Sequence, residues 1–371
     1  MERDFTAERD SSARASERQR NRGESQLIRD REHKMATTKT FTYSHTIGFL
    51  AATGRGFTNP VDMAINSRGV LYVLNRAGPE TSIRLPSKRV TMCTVDEQWL
   101  GEWGTGGHGD GEFWWPSSIA IDSQDRVYIA DEGLQRVSSF DKDGTFLNQW
   151  GVKGTEDGQL EYPSSIAIDS EENLWLTDSG NHRVQKFTKE GKFISAWGKR
   201  GSESGEFQGP WGLALTETGD VYISDWGNDR IQRYDTDGVL IEEFGGLPEG
   251  DAIHRPAGLA VDGEGNIYVA DWGNERVKVL GSDGRLLASL RGESVDSTWA
   301  ADYFGVNPEE GQLRTKADLF PELDPPARRD REISAGVEGY FWGPSAVKLD
   351  GEGRLIVVDS LRHRLQIFQI N

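Results

Sequence analysis

One segment recurs six times along the chain, and that recurrence limits the fold more than any other feature. Aligned on a proline, the copies are Pro60-VDMAINSRGVLYVLN, Pro116-SSIAIDSQDRVYIAD, Pro163-SSIAIDSEENLWLTD, Pro210-WGLALTETGDVYISD, Pro256-AGLAVDGEGNIYVAD and Pro344-SAVKLDGEGRLIVVD. Successive prolines are 56, 47, 47, 46 and 88 residues apart. In five units an Asp is followed five positions later by Arg: Asp131/Arg136, Asp178/Arg183, Asp225/Arg230, Asp271/Arg276 and Asp359/Arg364. Most units then reach a Trp-Gly pair, at Trp103, Trp150 and Trp197, with Phe244-Gly245 as a variant. Within a unit, runs such as SIAIDS and VYIAD alternate or run apolar for four to six residues between Asp, Gly and Asn turns, which reads as four short strands. Four-stranded units at a period near 47 predict a β-propeller, here all-β and six-bladed.

Ring closure is legible too. The last unit stops after its third strand, RLQIF, while FTYSHTIG at 41–48 stands as an orphan strand before the first proline. Gly48 precedes Pro60 by 12 residues, as Gly104, Gly151 and Gly198 precede theirs. The N-terminal strand is therefore expected to complete the sixth blade, which removes an exposed edge. Ahead of it, residues 1–40 are expected to be a disordered charged tail. Residues 1–34 hold nine basic and eight acidic residues and almost nothing to bury. Either this is a genuine tail or translation starts at Met35. The propeller then spans 41–371.

The run Asp178-Ser-Gly-Asn-His-Arg-Val-Gln-Lys-Phe187, with Asp225-Trp-Gly-Asn-Asp-Arg-Ile and Asp271-Trp-Gly-Asn-Glu-Arg-Val, resembles the NHL-repeat family. The resemblance covers about residues 41–371. It implies the propeller fold but leaves function open, because such propellers host enzymes, sensors and docking surfaces. The repeated Asp, Asn and Arg, and His182 and His363 in the Asn-His-Arg place, read as structural devices, since they recur once per blade at fixed offset.

Function is sought where the repeat breaks. Residues 293–340 form an insertion between blades five and six, some 40 residues beyond the regular 12-residue linker. In blade one Asn75 replaces the repeat Asp, and the spacing is lost through RAGPETSIRLPSKRV. Both breaks fall in loops of one face. So do Trp115, Tyr162, Trp211, Trp226, Trp272 and Trp342, together with His254 and Arg255. These eight are the candidate ligand-binding residues, and they predict an aromatic-rimmed mouth over the central channel, partly covered by the insertion.

Composition narrows the chemistry. The net charge of −18 argues against a nucleic-acid binder, which needs cationic surface to displace counterions. The single cysteine, Cys93, excludes a disulfide framework and a Cys-rich zinc site. No apolar run approaches the roughly 20 residues that span a bilayer, so the expectation is a cytoplasmic monomer without membrane attachment. There is no Gly-x-Ser-x-Gly elbow and no phosphate loop. Among family relatives, the amidating lyase implies histidine-held zinc at the channel mouth and the lactonase-like propellers imply calcium. Here only His254 stands beside a repeat proline, so no metal ligands and no catalytic residues are assigned, and no cofactor is expected beyond an open place for Ca or Zn. The primary reading is a non-catalytic scaffold for a protein or small-molecule ligand. The alternative is a metal-dependent hydrolase or lyase.

Overall fold

In the computed structural model, residues 39–78, 86–248, 250–323 and 329–371 are described. The expected tail before residue 39 and residues 79–85 of the blade-one irregularity lie outside them.

The described residues form six four-stranded antiparallel sheets. Blade one is β2 (Pro60–Ile65), β3 (Leu71–Asn75), β4 (Arg89–Cys93) and β5 (Trp99–Trp103). Blade two is β6 (Pro116–Ile121), β7 (Val127–Asp131), β8 (Arg136–Phe140) and β9 (Phe146–Trp150). Blades three and four run β10 (Pro163–Ile168) to β13 (Phe193–Trp197) and β14 (Pro210–Leu215) to β17 (Leu240–Phe244). Within them β11 is Leu174–Asp178, β12 Arg183–Phe187, β15 Val221–Asp225 and β16 Arg230–Tyr234. Blade five is β18 (Pro256–Val261), β19 (Ile267–Asp271), β20 (Arg276–Leu280) and β21 (Leu286–Leu290). Blade six is β22 (Pro344–Leu349), β23 (Arg354–Asp359), β24 (Arg364–Ile370) and, as its outer strand, β1 (Phe41–Ile47). β1 pairs with β24 from Phe41↔Ile370 to Ile47↔Leu365, so the N-terminal strand closes the ring as the spacing predicts. The first strands of the blades contact one another around the axis, β2 meeting both β6 and β22.

The repeat spacing follows from pairing. Each repeat proline sits opposite the repeat acidic or Asn residue (Pro163↔Asp178, Pro60↔Asn75), and that residue sits opposite the Arg five positions on (Asp178↔Arg183). In blades two, three, five and six the first hairpin turns on an Asp whose side chain accepts two amides beyond it, as Asp169 does from Glu171 (3.0 Å) and Asn173 (2.8 Å), while Asn66 does the same in blade one and Thr216 takes the place in blade four. Adjacent blades share apolar cores. Trp175, Val184, Phe207, Leu213 and Tyr234 form one between blades three and four.

The outer-strand tryptophans lie in these seams. Trp103 packs at a tilt 4.9 Å from Phe140, Trp150 4.6 Å from Phe187 and Trp197 4.2 Å from Tyr234, each partner coming from the next blade. Between β21 and β22 the chain forms α1 (Thr298–Val306), α2 (Pro308–Lys316) and α3 (Asp330–Gly336).

Candidate functional site

The face that carries the breaks in the repeat is organised by the repeat residues themselves. In all six units the repeat Asp, or Asn75, accepts the amide of the residue two places before the proline. Asp178 takes Glu161 N at 2.6 Å, Asp225 Gln208 N, Asp271 His254 N, Asp359 Trp342 N, Asp131 Trp114 N and Asn75 Thr58 N. Asp225 also receives Asn228 Nδ2 (2.7 Å), Arg230 Nε (3.0 Å) and Gln232 Nε2 (3.3 Å), with its side chain fully buried. The structural reading of the repeated Asp, Asn and Arg matches this geometry. One carboxylate gathers the loop entering a blade and the turn leaving its second strand. Burial raises the pKa of Asp178, Asp271 and Asp359, opposed by these donors.

A second device joins neighbouring blades. The residue four places after the repeat acid adopts a left-handed conformation in five units: Gln135, His182, Asp229, Glu275 and His363. Its side chain accepts the amide of the residue just before the next blade's proline. These partners are Tyr162 (2.6 Å), Gly209 (2.9 Å), Arg255 (2.7 Å), Gly343 and Asn59 (2.9 Å), in that order. His182 and His363 thus act as backbone acceptors through Nδ1. Burial holds both below the usual histidine pKa, His363 at about 4.

Over this frame opens a cavity of about 360 Å³. Trp115, Trp211, Trp226 and Trp272 line it, with Arg76, Arg331, Asn59, Ser117, Ser345 and Ser360 among the rest. Trp211 follows the first-strand proline of blade four. Trp226 and Trp272 open the short 3-10 turns after β15 and β19, whose bases are clamped by Asp225 and Asp271. Their rings form a run across blades four and five, with centroids 5.5 Å apart for Trp211–Trp226 and 5.0 Å for Trp226–Trp272. Two guanidinium groups border it. Arg76 lies 4.3 Å from the Trp115 centroid and ion-pairs with Glu132. Arg331, from α3, lies 4.5 Å from the Trp272 centroid and pairs with buried Glu275 at 2.7 Å. Burial raises the pKa of both glutamates, and the arginines oppose that shift. Below, the channel narrows to about 20 Å³, room for roughly one water. Ser118 Oγ donates there to Asp62 at 2.6 Å, and Lys348 pairs with the same carboxylate at 3.1 Å.

The other four candidates stand outside the cavity lining. Tyr162 is half exposed, with Lys153 Nζ 5.9 Å from its ring. His254 Nδ1 meets Asp229 at 3.2 Å, and Arg255 is held by its amide to the same carboxylate. Trp342 stacks under Arg362 at 5.2 Å. Of the insertion's described residues, Arg331 lines the cavity. Trp299 is buried beside Phe57 and donates its indole N–H to Glu97 O at 2.6 Å, while Tyr303 packs on Phe49 and Phe320 on Tyr340.

Sequence reasoning missed Arg76, Arg331 and the serines. Arg76 carried a signal, because it directly follows Asn75 in the place Trp226 and Trp272 occupy after their Asp. Arg331 carried none. Among the described residues no three His, Cys, Asp or Glu side chains gather as ligands for a metal ion, and no helix is long and apolar enough to cross a membrane.

The NHL repeat family matches residues 160–187, 207–234 and 254–280. NHL repeat-containing protein 3 of Homo sapiens is 31% identical over 87 residues, 24% of this chain and 23% of that protein. The Mus musculus protein is 30% identical over the same length. The match therefore spans about a quarter of these relatives. Among solved structures, virginiamycin B lyase from Staphylococcus aureus superposes with a TM-score of 0.52 at 13% identity, covering 89% of this chain and 99% of that one. A gluconolactonase from Xanthomonas campestris gives 0.55 at 15% identity, covering 90% and 95%. At these identities the likeness is one of fold.

Proposed function

The chain is a six-bladed β-propeller carrying NHL repeats, and on that premise we propose that it is a non-catalytic binding protein whose ligand enters the aromatic mouth. The observation that carries this reading is the lining itself. Four tryptophans and two arginines surround a cavity of about 360 Å³, and among the described residues no His, Asp or Glu lines it. Volumes of a few hundred Å³ suit small molecules or one side chain of a protein partner. Tryptophans held by clamped turns offer large contact area with little entropy left to lose. General acid–base chemistry needs a titratable group within hydrogen-bond reach of the reacting atoms, and the described residues of this lining supply serine hydroxyls and the Asn59 amide beside the guanidiniums.

The test is a fragment screen by ligand-observed NMR, using ring-bearing and carbohydrate compounds, on the wild-type chain and on Trp226→Ala. Bound fragments should lose about tenfold in affinity in the variant. Fragments that bind equally well to both would overturn the reading. Metal analysis of untagged protein addresses the alternative, since stoichiometric zinc or calcium would favour a metal-dependent hydrolase or lyase.

A further inference from the structure

The charged side chains that line the mouth among the described residues are cationic, although the protein is anionic. The chain carries −18, yet among the described residues the charged groups lining the cavity are Arg76 and Arg331. Each is tethered from behind by a glutamate outside the lining, Glu132 and Glu275. A guanidinium has five N–H donors, so one carboxylate does not exhaust it. Arg331 commits Nη1 to Glu275, and its side chain stays 44% exposed. Ser345 adds a further polar group, for its Oγ is buried at the floor without a hydrogen-bond partner among the described residues.

We propose that the mouth binds a small ring-bearing carboxylate, its ring against Trp211, Trp226 and Trp272 and its carboxylate turned toward Arg331 and Ser345. This rests on the mouth being a ligand site and adds the sign of the ligand's charge. Tryptophan cages also attract organic cations. Here Trp272 and Trp115 already hold the Arg331 and Arg76 guanidiniums, and a second cation entering beside them would meet like charge in a partly desolvated space. An anion instead gains charge-assisted hydrogen bonds, which are about twice as strong as neutral ones.

The experiment is calorimetric titration of the full chain with three probes sharing one ring: 2-naphthoate, 2-naphthamide and 2-naphthylmethylammonium. Naphthoate should bind about tenfold more tightly than the ammonium compound. Arg331→Gln should erase most of that preference while leaving naphthamide affinity unchanged. Ser345→Ala, which strands no buried charge, should weaken naphthoate about threefold or more. Equal affinities for the three probes, or tightest binding of the ammonium compound, would overturn the anion preference and leave the mouth reading standing. No binding of any probe would overturn both. Naphthoate binding that survives both substitutions in variants with wild-type melting curves would remove these residues from the site.

Discussion

His363 Nδ1 accepts the Asn59 amide hydrogen at 2.9 Å, and with that bond the last blade holds the first. An amide nitrogen only donates, so the bond requires an unprotonated Nδ1. Burial first, and the neighbouring Arg362 charge second, hold the imidazole down at about 4.

The ring closure is therefore acid-sensitive. A folded-state pKa below the unfolded value of about 6.5 means that stability is fully present above that pH and is lost as pH falls toward 4. His363 accounts for at most about 3 kcal/mol of that loss. His363→Gln should keep the bond, since Gln135 makes the same one to Tyr162 through Oε1. Denaturant titrations between pH 7 and pH 4 should show a shallower decline for the variant, and parallel declines would count against this role.

Asp225→Ala should be severe. The substitution leaves Arg230, Asn228, Gln232 and the Gln208 amide without their shared acceptor inside the protein. Breaking a buried pair from one side costs about 3–5 kcal/mol, and the low end applies here because Arg230 keeps Glu243 and the Glu203 and Glu206 carbonyls. Because the same carboxylate clamps the turn that presents Trp226, a folded variant should also bind mouth ligands more weakly. Thermal melts and the naphthoate titration read the two effects separately.

Gly191→Ala tests the seam between blades three and two. Gly191 has φ +88° and lies against the Trp150 ring, where a Cβ would stand 2.2 Å from Cγ. Left-handed strain and overpacking each cost about 1–3 kcal/mol. The melting temperature should fall by several degrees, and an unchanged one would mean that Trp150 moves away freely.

The blades and the closing strand were legible because proline, aspartate and arginine mark paired strand positions, which spacing alone conveys. Trp226 and Trp272 were legible for the same reason. Side-chain direction was harder to read. Tyr162 and Arg255 precede repeat prolines in left-handed conformations, with φ of 53° and 50°, whereas Trp115 in the same alignment place does not. Register and backbone class alone do not set the direction, because Asn59, left-handed at φ 47° in the same place, lines the mouth with Trp115. Arg331 reaches the rim from a helix outside any repeat, so no periodicity marks it. Its partner Glu275 looked like one more repeat residue, and only the fold shows its second oxygen bound to the Gly343 amide.

Closure by β1 makes the last prediction. Ile47 is fully buried with Phe57, Trp299 and Leu365, and Thr46 Oγ1 bonds Ser294 Oγ at 3.0 Å, so the strand joins blade six to the start of the insertion. Removing residues 1–48 uncovers the β24 edge together with this apolar cluster, and unpaired edges recruit other chains. That truncation should aggregate or lose cooperative unfolding. A chain beginning at Met35 keeps all of β1 and should melt with the full-length protein. Light scattering and calorimetry on the two truncations decide the matter. A monomeric, cooperatively melting 49–371 fragment would mean that the three remaining strands of blade six suffice to hold the ring.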